Sequence, residues 1–133
     1  MAATISTSGL IDTDILIDAT HKRPEALAVL SGQVAVGGIK ISIVSAMELI
    51  QGSRNSTELS QTQQFLRRVS VVPINATSSQ AARDLMERFF LSHGLVIPDA
   101  LIAATALEND LVLYSKNIRH YRMIPNLSVV RPY

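Results

Sequence analysis

The sequence LIDTDILID, residues 10–18, places two apolar residues directly before a group of closely spaced acids. Leu10 and Ile11 predict a short buried strand that ends at Asp12, and residues 15–17 continue the apolar character as a strand or a short helix. In open α/β sheets, ligands bind beyond the carboxyl ends of the strands. The acids of this stretch are therefore the first candidates for a functional site.

Strand and helix patterns alternate along the rest of the chain. The most regular helical pattern begins at Ser78 or Ser79 as N-cap and ends at Gly94. The predicted strands cover residues 10–11, 39–44, 71–74, 111–114 and 127–130. The predicted helices cover residues 24–31, 45–51, 57–69, 78–93 and 98–107. This alternation indicates an α/β fold, with a mostly parallel central sheet and helices on both faces.

Length and composition limit the class of protein. The chain has 133 residues, 47% of them apolar and 17% charged, and a formal net charge of +1. These values are typical of one folded domain and exclude a disordered or strongly basic chain. The chain has no cysteine, which excludes a disulfide framework, a cysteine metal site and a thiol nucleophile.

The ends and the hydropathy of the chain suggest where it works. Residues 1–8 are predicted to be a flexible lead-in without the features of a signal peptide, and residues 9–133 form the domain. No apolar stretch approaches the roughly 20 residues that cross a bilayer. We therefore expect a cytoplasmic protein with no membrane partner.

Polar side chains stand at four places where strands give way to helices or loops. These places hold Asp12 with Asp14, Glu48, Asp99, and residues 115–117. If the strand ends converge, the carboxylates repel one another, and their pKa values rise unless a cation neutralises them. Oxygen ligands favour Mg²⁺ or Mn²⁺, which can activate a water against a phosphodiester. The pattern thus predicts metal-assisted hydrolysis of a phosphate ester.

Each acid also has a structural explanation. Ser45 opens the second predicted helix, and Glu48 is spaced from it as in a capping box. Asp99 would be favoured at a helix start by the macrodipole, and Asp12 and Asp14 would suit a turn or an N-cap. None of these explanations accounts for acids after several strand ends together.

The same residues resemble the PIN-domain nucleases, and within them the VapC-type toxins of toxin–antitoxin operons. Residues 10–18 resemble the opening strand and its D-T-N/D-x-L-I motif, and SAMELIQG at residues 45–52 resembles the second motif. PDALIAATA at residues 98–106 closely resembles the third motif. Residues 111–127 resemble the closing segment, in which Asn117 stands where Asp or Asn is usual.

This resemblance implies roles for individual residues. Asp12, Glu48 and Asp99 would be the catalytic, metal-ligating acids, and the metal would be Mg²⁺ or Mn²⁺. Supporting or substrate-positioning roles would fall to Thr13, Asp14, Ser115 and Asn117. The implied protein is an endoribonuclease that cuts RNA, is restrained by a VapB-like antitoxin and works as a homodimer. Asn117 stands in place of a fourth acid, so Asp14 is a candidate to supply the missing negative charge.

Basic and histidine side chains give a weaker signal. Lys116 and Arg119 follow the penultimate strand, where they either position substrate phosphates or belong to a solvated loop. Four further arginines along the predicted helices are expected to be simply exposed: Arg67, Arg68, Arg83 and Arg88. The three histidines lack metal-ligand spacing and are expected to be surface or capping residues: His21, His93 and His120.

Two other functions remain open from the sequence. A catalytically silent PIN-like module would keep the fold to bind RNA or a protein, although silent relatives commonly lose one of the three core acids. A phosphotransferase of the haloacid-dehalogenase type also has D-T-D after a first strand. That family requires Thr or Val where this chain has Leu16 and a later pair of acids where Asp99 stands alone. A receiver domain has no good phosphoacceptor candidate here.

Overall fold

The structure is a computed structural model that describes residues 7–133. Within that range the chain forms five strands and six α-helices. The strands are β1 (Gly9–Ile11), β2 (Lys40–Ser42), β3 (Ser70–Val72), β4 (Val112–Tyr114) and β5 (Val129–Val130). The helices are α1 (Thr13–Thr20), α2 (Pro24–Ala35), α3 (Ile43–Gln51), α4 (Ser56–Leu66), α5 (Ala76–His93) and α6 (Ile97–Glu108). A 3₁₀ turn covers Ile118–His120.

The five strands form one sheet in the order β3-β2-β1-β4-β5. Every neighbouring pair is parallel, so the prediction of a mostly parallel sheet is confirmed and the described sheet is parallel throughout. Leu10 of β1 is in register with Lys40 on one side and Leu113 on the other. Because β1 is central, the acids that follow it emerge in the middle of the carboxyl edge of the sheet.

Apolar side chains cover both faces of the sheet. Leu10 and Leu113 point to one face, where they belong to a buried cluster with residues of α5 and α6 such as Leu85. Ile11 and Tyr114 point to the other face, where they belong to a cluster with residues of α1, α2 and α3. Successive side chains of a strand point to opposite faces of the sheet and therefore contribute to two separate cores. The prediction of helices on both faces is confirmed.

Only Thr7 and Ser8 of the predicted flexible lead-in lie within the described residues. The carbonyl oxygen of Thr7 accepts hydrogen bonds from Gln33 Nε2 at 3.1 Å and from the Tyr114 hydroxyl at 2.7 Å. Lys40 Nζ donates to Ser8 Oγ at 2.6 Å. Residues 1–6 lie outside the described range. None of the helices in residues 7–133 is long and apolar enough to cross a membrane.

Two helix starts differ from the prediction because other side chains cap them. Ser42, rather than Ser45, caps α3, since its Oγ accepts from Val44 N at 3.0 Å. Asn75 caps α5, where Asn75 Oδ1 accepts from Ser78 N and Ser78 Oγ accepts from Asn75 N, at 2.8 and 2.9 Å. This reciprocal pair makes Ser78 the third residue of the helix and not its N-cap.

Three further boundaries also move. Residues 15–17, predicted as strand or short helix, lie within α1. The helix that begins at Pro24 continues past Gly32 to Ala35, because one glycine weakens a helix without ending it. The third strand ends at Val72, directly before Pro73, which has no N–H for the sheet.

Candidate active site

Asp12 lies at the centre of the candidate site. It follows β1 and is 5% exposed. Its Oδ1 accepts a hydrogen bond from Thr13 N at 2.8 Å, so Asp12 is the N-cap of α1. Its Oδ2 accepts from Ser115 Oγ at 2.7 Å and from the Tyr121 hydroxyl at 3.0 Å. Two segments more than 100 positions later in the chain therefore fasten this carboxylate.

Tyr121 joins Asp12 to Asp99. Its hydroxyl also lies 3.2 Å from Asp99 Oδ1, and its side chain is buried, with 1% exposure. The two carboxylate oxygens are thus separated by a single hydroxyl group. Sequence reasoning missed Tyr121, since an isolated tyrosine in an irregular segment carries no signal of a site.

His120 stands on the outer side of Asp99. Its Nδ1 lies 3.1 Å from Asp99 Oδ2, and its side chain is 56% exposed. His120 is therefore a surface residue, as predicted, but the 3₁₀ turn also brings it to the candidate site, which the sequence did not indicate. His21 and His93 are exposed near helix ends, as expected.

Thr13 connects Glu48 to the first strand end. Thr13 Oγ1 lies 2.7 Å from Glu48 Oε1, to which it donates, and 2.8 Å from Ser45 Oγ. The capping-box explanation for Ser45 and Glu48 is wrong, because α3 begins earlier, at the Ser42 cap. The carboxylate of Glu48 instead turns toward the helix that Asp12 caps.

Asp14 fastens the loop that follows β4. Its Oδ2 accepts from Lys116 N at 2.9 Å and from Asn117 Nδ2 at 3.2 Å. Burial, followed by the charge of Asp12, raises the pKa of Asp14 to about 6. The ends of β1 and β4 thus bring Asp14 and Asn117 together, as predicted, and Asp14 takes up a proton at a higher pH than an exposed carboxylate does.

Lys116 is directed away from the predicted substrate site. Its Nζ lies 2.5 Å from Asp18 Oδ2 and over the ring of Tyr133. The suggestion that Lys116 positions phosphates therefore loses its geometric basis, because its charge is already paired. Arg119 is exposed on the 3₁₀ turn. Four further arginines, which lie on helices or directly after one, are also exposed, as expected: Arg67, Arg68, Arg83 and Arg88.

The acids match a divalent cation in chemistry. Burial and the charge of Asp12 raise the pKa of Asp99, as they do for Asp14, and a cation would relieve this repulsion. All the donors are carboxylate oxygens, which suit Mg²⁺ and Mn²⁺. As the side chains stand, no three Asp, Glu, His or Cys residues within residues 7–133 are close enough to hold one ion together. Glu48 is connected to Asp12 only through Thr13.

An open cavity of about 570 Å³ adjoins the site between α1, α3 and α4. Its lining includes Glu48 at one end and the ion pair of Arg54 with Glu58 at another part of the wall. A smaller apolar cavity of about 200 Å³ lies beside it and is lined by Leu27, Phe65 and other side chains of α1 to α4. Together they form a groove that leads from helix α2 to Glu48.

Comparisons with known proteins identify the family of the chain. The family model described as PIN domain matches residues 9–124. Ribonuclease VapC10 of Mycobacterium tuberculosis is 34% identical over 119 residues, which are 89% of this chain and 89% of that protein. A toxin–antitoxin complex from Klebsiella pneumoniae has a chain that is 30% identical, with a TM-score of 0.78, and the match covers 95% of this chain and 98% of that one.

A second solved structure is VapBC2 from Rickettsia felis, bound to a DNA fragment from its promoter. The similar chain is 27% identical with a TM-score of 0.73, over 91% of this chain and 96% of that one. The family match spans all the motifs that carry the candidate acids. The chain therefore belongs to the PIN domain family and, within it, to the VapC ribonucleases.

Proposed function

We propose that this protein is the toxin of a toxin–antitoxin pair and hydrolyses RNA as a metal-dependent endoribonuclease. Its named relative is a ribonuclease, and a similar solved chain comes from a toxin–antitoxin complex. The observation that carries the proposal is the pair of carboxylates, Asp12 and Asp99, joined by one hydroxyl at the carboxyl edge of the sheet. Such a function requires RNA as substrate and the cytoplasm as the place of action.

Three acids would hold the ion: Asp12, Glu48 and Asp99. Mg²⁺ or Mn²⁺ bound there supplies an activated water and stabilises charge that develops on the phosphoryl oxygens. Asp12 Oδ2 already accepts two hydrogen bonds, whereas Oδ1 accepts one, so Oδ1 has a lone pair left for an ion. Glu48, which is linked to Asp12 through Thr13, would supply the third carboxylate.

The supporting residues keep these acids in place. The Thr13 hydroxyl donates to Glu48, and the Ser115 hydroxyl donates to Asp12. Asp14 and Asn117 hold the loop after β4 against α1 through their mutual hydrogen bond. Asn117 is exposed, so its amide is also available to a phosphate oxygen of the substrate.

The groove beside Glu48 suits a VapB-like antitoxin. It combines an apolar section with a polar section that ends at a candidate metal ligand. A bound peptide segment would cover Glu48 and restrain the nuclease. The likeness to the Klebsiella pneumoniae complex supports this partner.

A homodimer is supported by apolar side chains in residues 90–97. Phe90, Leu91, Val96 and Ile97 are 54%, 94%, 51% and 64% exposed. A cluster of exposed apolar residues is typical of an interface. Light scattering on the antitoxin-free protein tests this: a mass of two chains is expected, and a single-chain mass contradicts it.

The central test is cleavage of structured and single-stranded RNA by the purified, antitoxin-free protein with Mn²⁺, Mg²⁺ or EDTA. Wild-type protein should cut only with metal. Asp99→Asn should lose more than about 100-fold of the rate, because even outer-shell changes at metal sites commonly cost 10- to 100-fold. Asp84→Asn is the matched control, since Asp84 is an exposed acid of α5 paired with Arg88.

If the folded protein cleaves none of the RNAs tested, this result would favour the catalytically silent module. Cleavage that persists in EDTA, or in Asp99→Asn, would contradict the metal assignment.

A further inference from the structure

The Tyr121 hydroxyl occupies a position that no motif assigns. It lies between the two acids that come from the most distant parts of the chain, 3.0 Å from Asp12 Oδ2 and 3.2 Å from Asp99 Oδ1. Unpaired, these two carboxylates would repel each other. The hydroxyl has one proton, which it donates to Asp12 Oδ2 at the shorter distance or shares between the two acids, and its oxygen lies between the two carboxylates.

The backbone and the ring prevent this hydroxyl from moving away. Tyr121 N donates to Ile118 O at 3.0 Å, and Tyr121 O accepts from Ile124 N at 3.0 Å. The ring belongs to the buried cluster that contains Leu10 and Leu113, and its side chain is 1% exposed. The hydroxyl is thus fixed by the core of the domain and not by a mobile surface loop.

The hydrogen bonds leave lone pairs on both carboxylates. Asp12 Oδ2 accepts hydrogen bonds from Ser115 Oγ and from the Tyr121 hydroxyl, whereas Asp12 Oδ1 accepts one, from Thr13 N. The Tyr121 hydroxyl lies 3.2 Å from Asp99 Oδ1, and His120 Nδ1 lies 3.1 Å from Asp99 Oδ2, so each oxygen of Asp99 keeps a lone pair. The tyrosine consequently restricts the orientation of both carboxylates without using up their capacity to bind.

We propose that Tyr121 is a positioning residue, whose hydroxyl sets the spacing and orientation of Asp12 and Asp99 for a shared divalent cation. The proposal rests on the metal site of the proposed function. Residues that orient metal ligands commonly change metal affinity by 10- to 100-fold when they are replaced. Tyr121 acts through the ligands and does not itself need to contact the substrate.

The test is calorimetric titration of Mn²⁺ into metal-free protein, which requires no RNA and no turnover. Tyr121→Phe keeps the buried ring and removes only the hydroxyl, and it should weaken Mn²⁺ binding by about 10-fold or more. Tyr114→Phe is the matched control, because Tyr114 is 3% exposed and its hydroxyl donates to the Thr7 carbonyl instead of to an acid. This control should bind Mn²⁺ as the wild type does.

Melting temperatures measured in EDTA show whether the loss of each hydroxyl also changes the stability of the metal-free fold. Both Phe variants lose one buried hydroxyl and should be destabilised to a similar extent, whereas only Tyr121→Phe should lose Mn²⁺ affinity. Equal or tighter binding of Mn²⁺ by Tyr121→Phe would overturn the positioning role.

Asp12→Asn should abolish Mn²⁺ binding. Failure of the wild type to bind Mn²⁺, or unchanged binding by Asp12→Asn, would overturn the metal site itself, and the positioning role with it.

Discussion

At the residue scale, Asp12 combines two tasks. One oxygen caps α1 through Thr13 N, and the other accepts hydrogen bonds from Ser115 and Tyr121. Loss of an N-cap typically costs about 1 kcal/mol of stability. A variant of Asp12 therefore changes both the helix and the candidate site. Asp99 has no such capping bond, so it is the better residue for separating chemistry from folding.

Asp18 provides a pH-dependent prediction outside the candidate site. The hydrogen bond from Lys116, followed by that from Tyr133, lowers the pKa of Asp18. The ordinary pKa of an Asp side chain is 3.8, and at higher pH an acid whose pKa is lowered in the folded state stabilises the fold. This contribution is lost as the pH falls through the lowered pKa. Asp18→Asn should therefore cost about 1 kcal/mol at pH 7 and less near pH 3, where part of the contribution is already lost.

Urea unfolding of the wild type and Asp18→Asn at both pH values measures this difference. Asp84→Asn is again a suitable control, because its exposed ion pair with Arg88 should contribute little at either pH. A cost of Asp18→Asn that is the same at pH 7 and near pH 3 would contradict the electrostatic origin.

The acids of the site were predictable from the sequence, whereas two of their neighbours were not. Asp12 follows β1 and Asp99 lies in the first turn of α6, and both features leave a pattern in the chain. Glu48 lies inside α3 and was identified by its sequence motif. Tyr121 and His120 lie in or next to a 3₁₀ turn, where the direction of a side chain depends on the packing of the core and not on a sequence period. Burial of the tyrosine ring decides that its hydroxyl meets the acids.

At the element scale, β1 and β4 require a glycine at their contact. A Cβ at Gly9 would lie 2.5 Å from Tyr114 Cε2 and 2.6 Å from Val112 O. The tyrosine ring can shift, but the Val112 carbonyl belongs to the sheet. Gly9→Ala should therefore destabilise the fold by about 1–3 kcal/mol, as overpacking does in other cores.

Denaturation in urea checks this prediction, with Gly52→Ala as the control. Gly52 follows α3 with a φ of −77°, and the nearest atom to an added Cβ is 3.4 Å away. This control should change the free energy of unfolding by less than about 0.5 kcal/mol. Equal effects of the two substitutions would show that the close approach at Gly9 does not limit the sheet.

The type of each element was easier to predict than its ends. Apolar periodicity indicates where a strand or helix lies, because it reports which face is buried. The N-caps depend on individual hydrogen bonds, and several Ser and Asn residues near each start compete for that place. Ser42 and Asn75 became the caps of α3 and α5, which local sequence alone does not distinguish from Ser45 and Ser78.

At the scale of the whole molecule, the candidate site ties distant segments together. Its acids belong to α1, α3 and α6 and to the strand end before α1. An ion that binds only the folded chain adds about 2.7 kcal/mol of stability when its concentration is about 100 times its Kd. We therefore expect Mn²⁺ to raise the melting temperature of the wild type and EDTA to reverse the increase.

Asp99→Asn should melt at the same temperature with Mn²⁺ and with EDTA, whereas Asp84→Asn should respond as the wild type does. Differential scanning calorimetry provides the measurement. An equal response of Asp99→Asn would place the stabilising ion elsewhere on the protein.

The layers of the fold could be predicted from the alternation of strands and helices, which leads to a parallel sheet covered on both faces. The strand order could not, because it depends on which strands lose most water when they meet. Leu10 and Ile11 are both fully buried, as is expected for residues of a central strand that is covered on both faces.

The central position of β1 also has a consequence for synthesis on the ribosome. Asp12 is translated early, but its hydrogen-bond donors Ser115 and Tyr121 follow 103 and 109 positions later. Domains fold as units once their parts are available, so a nascent chain lacks an assembled acid cluster until almost all of the domain has emerged. Assembly of the candidate site is thereby delayed until the chain is almost complete.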